Sequence, residues 1–203
     1  MYKSILTAAV ALVALTGSAF AQAFPISAYY PLKVGSKWSY NDSATGENFV
    51  LHAAETVNIN GHTAMKLVRI GNTDVDVISN DASGILVHGR NFKGTNATYN
   101  PPVVFAPAAV TLNATQVTNP NFKNPATGNN TIWTTRFDTV EDIAVPAGKY
   151  PKCARLELVI KDEKLGTILA KMNMWLAPNV GMVKRQGQFF GVFYVQQLTA
   201  VTL

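Results

Sequence analysis

Residues Cys153 to Ile160 read CARLELVI, and the polarity of their side chains alternates from one residue to the next. One set comprises Ala154, Leu156, Leu158 and Ile160, and the other comprises Cys153, Arg155, Glu157 and Val159. Successive side chains of an extended strand point to opposite faces, whereas a helix repeats its apolar residues three and four positions apart. The two-residue period therefore predicts a β-strand that hides its first set of side chains from water.

Similar strand-like runs fill most of the chain on both sides of this stretch. They are Phe49–Val57, Ala64–Ile70, Thr73–Ser79, Ile85–His88, Ile132–Val140, Thr167–Leu176, Met182–Arg185 and Phe189–Val201. Turn signals separate them, among them Asn60-Gly61, whose residues tolerate the positive φ of a tight hairpin. Short consecutive strands joined by tight turns predict an all-β, mainly antiparallel fold, either a curved sheet or a half-open β-barrel.

The two halves of the chain resemble each other. Val75–Val87 aligns without gaps on Met172–Lys184, which places Gly84 on Gly181. A glycine at both positions predicts a positive φ or a close backbone passage there. The fold is therefore expected to comprise two similar meander halves, with chance likeness between strand–turn–strand units as the alternative.

Between the halves lies a long connection, residues 91–131, which is rich in Asn and Pro. Proline cannot donate to a central ladder, so this connection is expected to be loop or sheet edge, with short strands near Val103 and Val117. Long loops in compact domains often serve as lids over a binding site. A surface connection without such a role is the alternative.

The first 21 residues have the three parts of a secretory signal. Lys3 supplies a positive start, Ile5–Leu15 is an apolar run, and Ala19-Phe20-Ala21 provides small residues at a cleavage site. The run is shorter than the roughly 20 residues that cross a bilayer, and no later stretch reaches that length. We therefore expect a signal peptide over residues 1–21, cleaved near Ala21, and a single β domain over residues 22–203. This mature domain is expected to have no transmembrane span and to lie in the periplasm or outside the cell.

Composition and charge exclude several classes of protein. Lys and Arg together number 17 and Asp and Glu 12, which gives a formal net charge of +5 with no concentrated basic patch beyond the pair Lys184-Arg185. Nucleic acid is therefore not an expected partner. The single cysteine, Cys153, excludes a disulfide scaffold and is interpreted as a small core residue.

The sequence contains no recognisable set of catalytic residues. The three histidines, His52, His62 and His88, lack metal-ligand spacing, and no G-x-S-x-G turn marks a nucleophilic serine. Asp74 and Asp76 are interpreted as the wet side of a half-buried strand. The sequence therefore predicts no catalytic residue, no metal site, no cofactor and no enzymatic activity, with a hydrolase of unrecognised site as the alternative.

Methionine and aromatic residues are concentrated in the last strands. We take as candidate ligand-binding residues Met172, Met174, Trp175, Met182, Phe190 and Phe193. Flexible methionines and large rings suit an apolar pocket of adaptable shape, and they suit an ordinary β core as well. Because neighbours along a strand face opposite ways, Phe189-Phe190 predicts a bulge or an exposed apolar side chain.

Three motifs resemble those of a family of uncharacterised bacterial secreted and lipoprotein-like envelope proteins. They are Tyr29-Tyr-Pro-Leu-Lys-Val-Gly-Ser-Lys-Trp38, Val145-Pro-Ala-Gly-Lys-Tyr-Pro-Lys-Cys153 and Trp175-Leu-Ala-Pro-Asn-Val-Gly-Met-Val-Lys184. Many members carry a lipobox cysteine, which this chain lacks. The resemblance implies a fold similar to the half-open antiparallel β-barrel of the LolA/LolB-type lipoprotein carriers, whose curved sheet can hold an acyl chain. No catalytic residue transfers from the family.

Together these observations predict a secreted, non-catalytic binding protein that holds an apolar or lipid-like ligand on the concave face of a β-sheet. The alternative is an envelope module that contacts another protein through an exposed sheet edge and has no small-molecule ligand. The expected partners are therefore a lipid or apolar small molecule, or an envelope protein.

Overall fold

A computed structural model of the protein describes residues 24–92 and 94–203, so the expected signal peptide lies outside the described residues. A 3-10 turn at Ile26–Tyr29 lies among fourteen strands. The strands are β1 (Phe24–Pro25), β2 (Lys37–Asp42), β3 (Asn48–Ile59), β4 (His62–Arg69), β5 (Val75–Asp81), β6 (Gly84–Phe92), β7 (Thr95–Pro107), β8 (Ala109–Val110), β9 (Thr115–Thr118), β10 (Thr131–Val145), β11 (Gly148–Asp162), β12 (Ile168–Ala177), β13 (Gly181–Phe189) and β14 (Val192–Thr202).

Twelve of these strands form one antiparallel sheet, in the order β7-β6-β5-β4-β3-β2-β14-β13-β12-β11-β10-β9. The sheet consists of two meanders, β2–β7 and β9–β14, which are joined where β14 pairs with β2. The two edge strands, β7 and β9, face each other. Across the gap between them, the backbone N–H and carbonyl of Val104 in β7 bond to side chains and not to the backbone of a neighbouring strand. The Val104 N–H donates to Thr118 Oγ1 (3.3 Å), and its carbonyl accepts from Thr135 Oγ1 (3.4 Å). The sheet is thus almost closed into a barrel with one open seam, which confirms the predicted fold class.

The aligned glycines occupy equivalent hairpins of the two meanders. Gly84 follows β5 with a φ of +112°, and Gly181 follows β12 with a φ of +101°. A Cβ on Gly84 would meet the backbone of β7, and one on Gly181 would lie 3.3 Å from Trp38 Nε1. The predicted positive φ is confirmed at both glycines and the close backbone passage at Gly84, whereas Gly181 lies close to a side chain.

The strand over CARLELVI has the predicted buried face. Ala154, Leu156, Leu158 and Ile160 are all buried in the core, and the charged side chains between them lie on the outer face. Cys153 is also fully buried, as expected for a core residue, and its Sγ lies 3.3 Å from the Tyr150 carbonyl oxygen. Burial raises the pKa of the Cys153 thiol to about 11, so the thiol is protonated at neutral pH.

The long connection contains more strand than the sequence indicated. Its residues 95–107 form β7, a thirteen-residue edge strand that includes three prolines, Pro101, Pro102 and Pro107. Edge strands tolerate proline because the missing N–H has no ladder partner to lose. The longest irregular part of the connection, residues 119–130, links β9 to β10 and is called the strap below.

The two ends of the barrel differ. At the closed end lie the hairpin turns at 60–61, 82–83 and 178–180, together with the N-terminal segment. That segment enters the barrel: Ile26 is fully buried, and the Phe24 ring lies 5.5 Å from that of Phe137. Asn80 Nδ2 fixes it by donating to the carbonyls of Ser27 (2.8 Å) and Tyr30 (2.7 Å). The opposite end, the strap end, carries the turns at 43–47, 70–74, 163–167 and 190–191 and the strap.

Candidate functional site

The barrel interior is polar toward the strap end. Asp76 of β5 pairs across the ladder with the core residue Leu67, so its side chain points inward. There its two carboxylate oxygens accept from Arg90 of β6, at 2.5 Å from Nε and 3.0 Å from Nη2. The interpretation of Asp76 as part of the wet outer face was therefore wrong, because alternation defines which residues share a face but not which face is enclosed.

Arg90 faces an internal space. The Asp76 carboxylate, and to a smaller degree the phenols of Tyr99 and Tyr194, raise the pKa of Arg90. Tyr194 lies on β14, five strands away from β6 in the sheet, and can reach Arg90 only across the barrel. The Arg90 side chain nevertheless keeps 38% of its surface accessible. Because Arg90 faces inward and keeps this accessible surface, solvent or a ligand can reach its side chain.

Tyr30 extends from the N-terminal segment into the same interior. Burial raises the pKa of its phenol far above the ordinary value, the Asp76 carboxylate raises it further, and Arg185 and Arg90 act in the opposite direction. The phenol therefore lies among three charged groups that come from β5, β6 and β13. It is therefore protonated at neutral pH and can act there only as a hydrogen-bond donor or a neutral acceptor.

Arg185 belongs to a chain of contacts on the opposite wall. Its Nε (3.1 Å) and Nη2 (2.6 Å) donate to Gln196 Oε1, and Gln196 Nε2 donates to Asp42 Oδ2 (2.5 Å). The guanidinium carbon lies 5.2 Å from the centre of the Tyr194 ring, and the Tyr194 hydroxyl donates to Met172 Sδ (3.2 Å). Polar and apolar side chains thus share one surface of the interior.

The structure separates the six candidate ligand-binding residues into two groups. Met172, Met174, Met182 and Trp175 are buried in the core. Trp175 alternates with the methionines along β12, and there its Nε1 donates to Glu141 (2.8 Å) and the Lys184 ammonium lies 4.8 Å from the centre of its ring. Phe190 and Phe193 are exposed beside the strap-end turn between β13 and β14. No finding tests a ligand role for any of the six, and it stays a prediction.

Exposed apolar side chains form a lip on two neighbouring hairpins of the strap end. The lip comprises Leu165, Ile168, Phe190, Val192 and Phe193. The Phe190 N–H donates to the Leu169 carbonyl (2.8 Å), which joins the two hairpins. Phe190 adopts a φ of +47° and is 43% exposed, which confirms that the adjacent phenylalanines cannot both be buried.

The strap covers part of the same end of the barrel. Asp162, at the end of β11, accepts hydrogen bonds from the side chains of Asn124, Thr127 and Asn129. Under the strap, the rings of Tyr99, Phe122 and Trp133 form a mutual cluster with centroid distances of 5.5 to 6.1 Å. Sequence reasoning missed this anchor, because the partners of Asp162 lie more than 30 residues away along the chain.

A cleft lies at the closed end, on the side of the barrel. It has a volume of about 560 Å³, and its lining includes Leu32, Thr56, His62, Met65, Asn80 and Asp81. His62 Nδ1 lies 2.7 Å from Asp81 Oδ2, and its ring centre lies 5.1 Å from that of His88. His88 Nε2 in turn bonds the Ser79 hydroxyl (2.8 Å). Ser79 is fully buried and cannot meet a substrate, so this group does not supply a nucleophile.

The buried His88 predicts a loss of stability in mild acid. Burial and then the neighbouring His62 lower the pKa of His88, so the unfolded chain binds the proton more tightly. The free energy of unfolding is therefore expected to fall between pH 7.5 and pH 5, by at most about 1.4 kcal/mol per pH unit for this one group. Urea unfolding across that range measures it.

His88→Gln should flatten this pH dependence, because glutamine does not titrate. His52→Gln, which removes a histidine from β3 of the same sheet, provides the control and should keep the slope of the unmodified protein. An unchanged slope in His88→Gln would contradict the assignment of the acid sensitivity to His88.

Two further properties bear on function. Within residues 24–92 and 94–203, no group of three or more His, Cys, Asp or Glu side chains is placed to hold a metal ion. Over the same described residues, no helix has the length and apolar character needed to span a bilayer.

Comparison with known proteins leaves the function open. No protein-family model and no curated protein matches the chain. Two solved structures are similar over 86% of this chain and 98% of theirs: a "putative lipoprotein" from Parabacteroides distasonis (16% identity, TM-score 0.40) and a "putative exported protein with YmcC-like fold" from Bacteroides fragilis (15% identity, TM-score 0.37). At these TM-scores, function has to be derived from the residues of this chain.

Proposed function

We propose that this protein is a non-catalytic binding protein of the bacterial envelope that holds a lipid-like molecule inside its barrel at the strap end. The observation that carries the proposal is the accessible, inward-facing Arg90, which pairs across the ladder with Asp76 and keeps 38% of its side-chain surface free. An envelope location and a carrier role like that of the LolA/LolB-type proteins are part of this proposal.

The surroundings of this interior favour an amphiphile over a purely apolar ligand. Phe122 and Trp133 of the aromatic cluster are partly accessible and supply apolar surface, and Arg90 and Arg185 supply charge. Ligand sites of proteins combine mostly apolar walls with a few placed polar groups. The apolar side chains of the lip would contact the hydrocarbon tail of such a ligand as it enters the barrel at the strap end.

The alternative of an edge-pairing protein module is less well supported by the fold. The two edges of the large sheet face each other, and both backbone groups of Val104 already bond threonine hydroxyls at the seam. Pairing with a partner strand requires a free row of backbone donors and acceptors. A partner would have to displace these contacts before it could add to the sheet.

Mass spectrometry of organic extracts tests the proposal. Protein purified from the envelope fraction of its host without detergent is expected to carry lipid in stoichiometric amounts. Phe190→Ser combined with Phe193→Ser should reduce the bound lipid severalfold, because Phe193 is 64% exposed at the lip. Leu112→Ser is a matched control, since Leu112 is 52% exposed but lies away from the lip. Lipid-free protein that also fails to take up added amphiphiles would refute the proposed function.

A further inference from the structure

We infer that the ligand carries an acidic head group and that Arg185 binds it. This inference rests on the proposed function, because it names the class of molecule held in the same interior. The residues that carry it are Arg185, Arg90, Asp76 and Tyr30, which β13, β6, β5 and the N-terminal segment bring together.

The two interior arginines differ in how their charge is balanced. Arg90 forms a two-bond ion pair with Asp76, which neutralises it. Arg185 forms no ion pair within the described part of the chain, and its hydrogen bonds go to the neutral amide oxygen of Gln196. Asp42, the carboxylate beyond that amide, bonds the Gln196 nitrogen. Arg185 is thus the interior cation with an unmatched charge.

Arg185 also has a donor left for a ligand. Its Nε and Nη2 are used by Gln196, whereas Nη1 bonds no described residue and is not among the buried atoms that lack a partner. Nη1 therefore borders accessible space. A half-buried guanidinium with a free N–H is the group that best binds an anionic oxygen, since charge-assisted hydrogen bonds are about twice as strong as neutral ones.

Tyr30 supplies a further polar group in the same interior. The charge of Arg185 acts on the pKa of its phenol, and its hydroxyl bonds no residue in the described ranges. A head group on Nη1 could accept from this hydroxyl as well. Its tail would then extend toward Met172, whose Sδ accepts a hydrogen bond from the hydroxyl of Tyr194, the ring that lies next to Arg185.

Paired probes that share a tail test this inference. Isothermal titration below the micelle concentration compares laurate, dodecyl phosphate and the uncharged 1-monolaurin. The unmodified protein is expected to bind at least one of the two anions about tenfold or more tightly than monolaurin. The anion that binds more tightly identifies the head group as carboxylate or phosphate.

Variants at neighbouring positions of β13 locate the contact. Arg185→Gln should abolish the preference for the anion, whereas Arg185→Lys should retain part of it. Lys184→Gln removes a cation from the outer face of the same strand and should change neither affinity. Thermal melts establish that each variant is folded.

The outcomes separate this inference from the proposed function. Equal binding of anions and monolaurin by the unmodified protein would overturn the acidic head group and leave the proposed function intact. An anion preference that survives Arg185→Gln would overturn the role of Arg185. Binding of none of the three probes would refute the proposed function and this inference with it.

Discussion

Replacing Gly84 by alanine is expected to lower the free energy of unfolding by roughly 3 kcal/mol or more. The new Cβ would lie 2.2 Å from the carbonyl oxygen of Ala106 and 2.7 Å from the nitrogen of Ala108, and both are backbone atoms of the neighbouring chain segment. The φ of +112° adds strain, because residues other than glycine rarely adopt it. The hairpin between β5 and β6 would have to move away from β7.

The variant Gly61→Ala serves as a control that separates the clash of a new Cβ with neighbouring atoms from the strain of a positive φ. Gly61 also ends a tight hairpin with a positive φ, +82°, but a Cβ there would meet no atom within 4 Å. Its replacement is expected to cost about 1 kcal/mol. Urea unfolding of the two variants measures the difference, and equal losses would show that the close approach of β7 to Gly84 has no energetic weight.

The architecture could be predicted because it depends on local patterns. CARLELVI has one buried and one polar set of residues, so alternation alone identifies the strand and its buried face. Gly84 and Gly181 follow the same reasoning, since a tight hairpin that passes close to another segment needs a residue without a side chain. These features require no knowledge of which strands become neighbours.

The candidate site could not be predicted in the same way. Asp76 was assigned to the outer face, because a carboxylate is normally solvated and the sequence does not reveal Arg90 as its partner across the ladder. Arg185 and Tyr30 are far apart in the sequence, and only the folded barrel brings the N-terminal segment to the start of β13, so that the charge of Arg185 acts on Tyr30. Alternation groups residues by face, but closure decides which face encloses a polar interior.

Replacing Asp162 by alanine is expected to release the strap. Oδ2 accepts from Asn124 Nδ2 (2.7 Å) and Thr127 Oγ1 (2.7 Å), while Oδ1 accepts from the N–H groups of Lys164 (3.0 Å) and Leu165 (2.9 Å). Alanine removes every one of these acceptors. Trypsin should then cleave after Lys123, the basic residue of the strap, about tenfold or more faster than in the unmodified protein, because local opening frees the strap.

The anchor is expected to persist in mild acid. Burial alone would raise the pKa of Asp162, but the hydrogen bonds from Thr127, Leu165, Asn124 and Asn129 outweigh it and hold the pKa well below the ordinary value. An aspartate whose pKa is lower in the folded than in the unfolded protein stabilises the fold fully at every pH above its unfolded pKa. This stabilisation is lost only as the pH falls to the pKa of the folded protein. The rate of cleavage after Lys123, corrected for the pH dependence of trypsin, should therefore stay constant from pH 8 to pH 5.

Glu163→Ala is the matched control for the Asp162 variant. Glu163 follows Asp162 directly and bonds the strap only through its backbone N–H, which donates to the Asn130 carbonyl (2.9 Å) and which alanine retains. If trypsin cleaves Asp162→Ala faster than Glu163→Ala, the Asp162 carboxylate anchors the strap. If it cleaves both at the same rate, the ring contacts of Phe122 restrain the strap instead. The release rate of a bound amphiphile then distinguishes the two interpretations of the strap, a lid over the interior or a surface connection. If Asp162→Ala releases the amphiphile faster than Glu163→Ala does, the strap is a lid. If the two variants release it at equal rates, the strap is a surface connection.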